Sequence, residues 1–117
     1  MSKPTPHNSL EEERYQALKN SIADLGYIRR GSIQRRFMPC GKARCCCQAT
    51  PPELHGPYYD WTRKVRGKTV SLRLTAQEAK TLGDWIANAR RLDNILAQME
   101  RVSQRLTERL LRKLRKS

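Results

Sequence analysis

YYDWTRKVRGKTVSLRL, residues 58–74, is the stretch that decides the fold. From Tyr58 to Val65 it reads as a strand, with Tyr59, Trp61 and Arg63 on one face. From Thr69 to Leu74, the apolar Val70, Leu72 and Leu74 alternate with Thr69, Ser71 and Arg73. A period of two, rich in β-branched and aromatic side chains, marks a half-buried strand. Arg66-Gly67-Lys68 supplies a turn between the two runs, so the segment reads as a β-hairpin. Tyr59 and Trp61 are expected in a core against helices, which leaves Tyr58 available for contact.

The hairpin is followed at once by Thr75 and Glu78, a capping box that opens a helix. From Ala76 to about Arg115 there is no proline, and Gly83 is the only glycine. Leu82, Trp85, Ile86, Ala89, Leu92, Leu96, Met99, Val102, Leu106, Leu110 and Leu114 recur at helical steps of three and four. This spacing predicts one long amphipathic helix of about 40 residues, about 60 Å in length. Gly83 and Asp93-Asn94 are the places where it would break. A core this small covers only part of such a stripe, so residues 82–114 are expected to meet the first helix, a second copy or a larger protein.

Upstream, Ser9 and Glu12 form another capping box, and Tyr15, Leu18, Ile22 and Leu25 recur at helical spacing. A helix is predicted over residues 9–25, with Gly26 as its stop. Residues 27–38 read as one extended strand, or as two short ones broken at Gly31. The expected fold class is α+β: an N-terminal helix, a zinc-pinned β-hairpin or small three-stranded antiparallel sheet, and a long C-terminal helix. The expected division is a lead-in at 1–8, a helix-plus-hairpin domain at 9–74 and the long helix at 75–117.

Between strand and hairpin lie Cys40, Cys45, Cys46, Cys47 and His55, all within sixteen residues. Three thiolates and one imidazole make a closed tetrahedral Zn²⁺ site of the structural kind. Cys40, Cys45, Cys47 and His55 are the expected ligands. Any three of the four thiols could bind, and alternation points Cys45 and Cys47 the same way, which leaves Cys46 as the spare. Lys42 and Arg44 would help hold the thiols as thiolates. The nearby carboxylates are Glu53 and Asp60, too few to suggest catalysis at an open metal site, so no enzyme is expected. Only 38% of the chain is hydrophobic, and small cores commonly need a metal or a partner chain.

The net charge is +13, unevenly placed. Residues 1–26 carry three basic and four acidic groups, residues 27–74 eleven and two, and residues 75–117 ten and five. An excess in the middle and the tail is the footprint of a nucleic-acid binder, DNA or RNA. Arg29, Arg30, Arg35, Arg36, Lys42, Arg44, Arg63, Lys64, Arg66 and Lys68 surround Tyr58 and are expected to meet phosphates, while Tyr58 stacks on a base. In the tail, Arg101, Arg105, Arg109, Arg112 and Lys116 form a second basic stripe. No run approaches the roughly 20 apolar residues of a membrane span, and the N-terminus lacks an apolar signal core. A cytoplasmic protein with no membrane partner is expected.

Cys40-Gly41-Lys42, Cys45, Cys47, His55-Gly56-Pro57-Tyr58-Tyr59, Trp61, Lys64 and Gly67-Lys68-Thr69 resemble a family of small prokaryotic proteins known only as a domain of unknown function. The likeness covers roughly residues 27–100. It implies Cys40, Cys45, Cys47 and His55 as ligands, and it implies no activity. Family members usually carry another residue at the place of Cys46, and some lie near mobile elements. The resulting expectation is a small zinc-binding accessory protein for nucleic acid, serving a mobile-element recombinase or a ribonucleoprotein. The alternative is a protein-interaction module that acts through its long helix.

Overall fold

The computed structural model describes residues 9–39 and 54–116. The elements run α1 (Ser9–Ala23), β1 (Ser32–Met38), β2 (His55–Val65), β3 (Lys68–Leu74) and α2 (Ala76–Lys116). The fold is α+β, with a three-stranded antiparallel sheet in the order β1-β2-β3. The third strand, left open by the sequence, is β1. Contacts group the chain into two compact units: one holds α1 and α2 from Asn88 onward, the other runs from Ile28 to Ala87.

In the second unit, β2 and β3 are joined by a two-residue turn. Arg66 (φ 51°) and Gly67 (φ 81°) both lie in the left-handed region, which matches the twist of a tight hairpin. Lys68, expected in the turn, is the first residue of β3. The sheet register places Trp61 opposite both Ile33 and Leu72, and Tyr59 opposite both Arg35 and Leu74. Paired residues share a face, so Ile33, Tyr59, Trp61, Leu72 and Leu74 stand on one side. The first turns of α2 cover part of that side. Trp61, Leu74, Ala79 and Ile86 form the buried cluster, flanked by Ile33, Tyr59 and Leu82. The capping box closes reciprocally: Thr75 N–H donates to Glu78 Oε1 (2.8 Å), and Glu78 N–H donates to Thr75 Oγ1 (3.1 Å).

Two glycines shape the edges of this unit. At Gly31 (φ 123°) the chain bends out of β1, and an added Cβ would stand 2.5 Å from Trp61 Nε1 and 2.7 Å from Thr62 O. Residues 25–30 therefore leave the sheet, and the extended run expected from residue 27 is a strand only from Ser32. The Trp61 indole N–H donates to Arg30 O (3.2 Å), and Arg29 N–H donates to Trp85 O (3.2 Å), which fixes this segment on the core. Gly31→Ala is expected to cost about 1–3 kcal/mol, from left-handed strain and from displacing the indole. Urea denaturation checks this; an unchanged midpoint would show that Trp61 moves aside freely. At the other edge, Arg36 pairs with Tyr58 and Met38 with His55, so Gly56 and Pro57 together face the single Phe37. This bulge carries the strand through a proline that lacks an N–H, and β2 begins at His55 rather than at Tyr58.

In the first unit, α1 ends at Ala23, two residues short of expectation. Asp24 N–H and Leu25 N–H turn back to Ser21 O and Ile22 O, tightening the last turn. Glu11 and Arg109 form an ion pair, with Arg109 Nη1 donating to Glu11 Oε2 (2.6 Å). Arg14 Nη2 donates to Gln98 Oε1 (3.3 Å), and Asn88 Nδ2 donates to Tyr27 O (2.9 Å). Ala89, Ile95 and Val102 are buried, while Tyr15, Leu18 and Ile22 of α1 are half-buried. The α2 helix passes Gly83 and Asp93-Asn94 without a break. One glycine costs about 1 kcal/mol in a helix, less than the packing on either side of it supplies. Among the described residues, no helix is long and apolar enough to cross a membrane.

Candidate nucleic-acid interface and metal ligands

The pairing that buries Trp61 sends every second residue to the opposite side of the sheet. Ser32, Thr62 and Ser71 form one row there, and Gln34, Asp60 and Arg73 form the next. Arg36 with Tyr58 makes a third row, and Lys64 with Thr69 a fourth. This side is polar throughout and largely exposed. Asp60 organises it: its carboxylate accepts from Arg73 Nε (2.6 Å) and lies 3.7 Å from Arg36 Nε. Arg36 Nε also donates to Gln34 Oε1 (3.1 Å), and Lys64 Nζ donates to Thr69 Oγ1 (2.7 Å). The Arg73 guanidinium lies 4.4 Å from the centre of the Tyr58 ring.

Such exposed pairs contribute little stability, about 0–1 kcal/mol each. Their effect is positional, because they hold two guanidiniums and an ammonium on a flat face that carries one carboxylate. The Tyr58 ring is half-buried and has Arg73 against it, so base stacking there requires Arg73 to shift.

The remaining cations read from the sequence lie elsewhere. Arg63 is on the Trp61 side, its guanidinium 4.0 Å from the indole centre, with Arg29 at 4.7 Å from the same ring. Arg35 stands 5.1 Å from the Phe37 ring on the edge strand. Arg66 and Lys68 are exposed at the hairpin turn, and Arg30 is exposed before Gly31. In the other unit, Arg101, Arg105, Arg112 and Lys116 are exposed along α2, while Arg109 is half-buried in its ion pair with Glu11. Gln34 and Asp60 went unread as parts of the site. The alternation that names Trp61 as core also aligns Asp60 with Arg73, and that was the available signal.

Of the expected metal ligands, only His55 is among the described residues, at the start of β2. Cys40, Cys45 and Cys47, with Cys46, Lys42 and Arg44, lie outside them. Among the described residues, no group of three or more metal-ligating side chains occurs. The register bears on the fit: Met38 is the pairing partner of His55. The connection bearing the cysteines therefore leaves the sheet two residues before Cys40 and returns beside the same point.

A family described as a domain of unknown function (DUF6788) matches residues 9–83. No curated protein and no solved structure matches the chain.

Proposed function

Since the chain belongs to that family, whose description carries no activity, we propose from its chemistry that it is a small, non-catalytic nucleic-acid-binding protein. The observation that carries this reading is the polar face of the sheet, where Arg36 and Arg73 are held beside Tyr58 and Lys64 is held on Thr69 nearer the hairpin turn. The net charge of +13 supports it, since such a chain attracts a polyanion at any modest salt concentration. The exposed Arg101, Arg105, Arg112 and Lys116 of α2 would add phosphate contacts of their own. Zinc held by Cys40, Cys45, Cys47 and His55 would be structural, closing the β1–β2 connection, with Cys46 left over. Service to a mobile-element recombinase or a ribonucleoprotein belongs to the same reading, in a cytoplasmic setting.

Fluorescence anisotropy with labelled DNA and RNA oligonucleotides, measured across a salt series, tests it. Each phosphate contact contributes about 0.9 to the slope of log K against log salt on a duplex, and about 0.7 on a single strand. Replacing Arg36, Lys64 and Arg73 together by Gln is expected to lower the slope by about 2–3 without unfolding the chain. A wild-type slope in that variant would remove the sheet face from the interface. No binding by the wild-type protein at low salt would remove the reading.

A second reading draws on Leu110, Leu111 and Leu114, which are exposed at the end of α2. In it the long helix joins a second copy or a larger protein, and the charge answers an acidic partner surface. Concentration-dependent mass without nucleic-acid binding would favour it.

A further inference from the structure

A cavity of about 510 Å³ opens where β1 begins, lined among others by Arg29, Arg30, Ser32, Thr62, Arg63 and Lys64. The first β1–β2 pair is Ser32 with Thr62, so β2 runs on through Arg63, Lys64 and Val65 without β1 beside it. Gly31 turns Arg29 and Arg30 away from the strand and back toward this open stretch. Arg29, Arg30 and Arg63 thus line one concavity, Lys64 borders it from the polar side of β2, and among the described residues no carboxylate lines it. The polar sheet face meets the cavity at Ser32, Thr62 and Lys64, but Asp60, which sits between two arginines of that face, does not line it.

Arg63 is the sharpest sign. Its guanidinium is held over Trp61, and its Nε and Nη1 groups are buried with no acceptor among the described residues. A buried donor without an acceptor costs free energy, and the cost is greater when the donor is charged. Arg29 against the same indole places a second positive charge nearby, which a bound anion would offset. Ser32 and Thr62 complete the wall, with the Thr62 hydroxyl paired to Ser71 Oγ (3.0 Å).

We propose that this cavity is a phosphate-binding pocket in which Arg63, Arg29 and Arg30 hold one phosphate group. The inference deepens the nucleic-acid reading by naming the group these three side chains take. The phosphate comes either from a nucleic-acid strand or from free phosphate, and the chemistry of capture is the same for both.

Titration with inorganic phosphate, followed on the Arg63 Nε–H resonance by nuclear magnetic resonance, tests the pocket without nucleic acid. The expected result is a saturable shift that sodium chloride of equal ionic strength does not reproduce. Arg63→Gln is expected to weaken phosphate binding about tenfold, the loss of one charge-assisted hydrogen bond. Because Arg63 touches Trp61, the exposed Arg30→Gln serves as a second variant, with a several-fold loss and an unchanged melt. An equal response to chloride, or unchanged affinity in both variants, would overturn the pocket. The source is then read from a short oligonucleotide with and without a 5′ phosphate. Preference for the phosphorylated form assigns the pocket to a strand end. Saturable phosphate capture without oligonucleotide binding keeps the pocket and removes the nucleic-acid reading. A salt-sensitive oligonucleotide complex with a silent Arg63 resonance does the reverse.

Discussion

Trp61→Ala is expected to lower the stability of the sheet unit by about 3–5 kcal/mol, the usual cost of truncating a buried tryptophan. Trp61 is 7% exposed and stands in a cluster whose other buried members among the described residues are Leu74, Ala79 and Ile86. The indole also donates to Arg30 O and carries the guanidiniums of Arg29 and Arg63 on its ring. Its loss leaves a void, removes the hydrogen bond to Arg30 O and takes the aromatic support from two cations. Small domains are stable by only about 5–15 kcal/mol, so this one change consumes a large share. Urea denaturation followed by circular dichroism gives the value. Leu72→Ala, on the same sheet face but 49% exposed, is the control and should cost much less. Equal effects for the two substitutions would mean that the centre of the core lies elsewhere.

The central place of Trp61 was readable because period two is a local signal. The run from Tyr58 to Leu74 shows it without help from the rest of the chain, and Thr75 with Glu78 marks the next helix start equally locally. The limits of β1 were not readable in that way. Residues 27–38 have the composition of one extended run, yet Gly31 takes a left-handed conformation and Arg30 O is tied to an indole 31 positions away. That choice is made by a tertiary contact. The bulge at Gly56-Pro57 is similar: Pro57 announces a break, but carrying the strand through to His55 depends on Phe37 in the facing strand.

The candidate site divides along the same line. Its basic residues were legible as a set from composition. Their sorting into a polar face, an indole-backed cavity and a turn follows from the sheet register. Asp60 illustrates the difference. Read alone it is a lone carboxylate near a proposed metal; in the sheet it is the group that holds Arg36 and Arg73 in place. Arg109 illustrates it in the helical unit, where a residue spaced as part of a basic stripe is engaged by Glu11.

Removing the proposed zinc is expected to have a larger effect than any of these substitutions. Among the described residues the buried cluster of the sheet unit has four members, and a core of that size leaves little margin against chain entropy. Structural zinc sites supply about 10–16 kcal/mol of apparent binding free energy at neutral pH, which appears as folding free energy. That is comparable to, or more than, the whole stability of a small domain. The pairing of Met38 with His55 makes the strand ends meet where the cysteine-bearing connection departs and returns. A metal bound by Cys40, Cys45, Cys47 and His55 would tie that connection to the sheet at the bulge. Elemental analysis of the purified protein is expected to give one zinc per chain. A strong chelator, or Cys45→Ser, should abolish the cooperative melt of the sheet unit. Retention of the melt after chelation, with no zinc found beforehand, would remove the metal from the account and leave the core to stand alone. Cys46→Ser discriminates within the ligand set. If it keeps both zinc and melt, Cys46 is the spare thiol. If it loses them while Cys45→Ser keeps them, the two cysteines exchange roles, and the alternation that pointed Cys45 and Cys47 the same way does not hold in this turn.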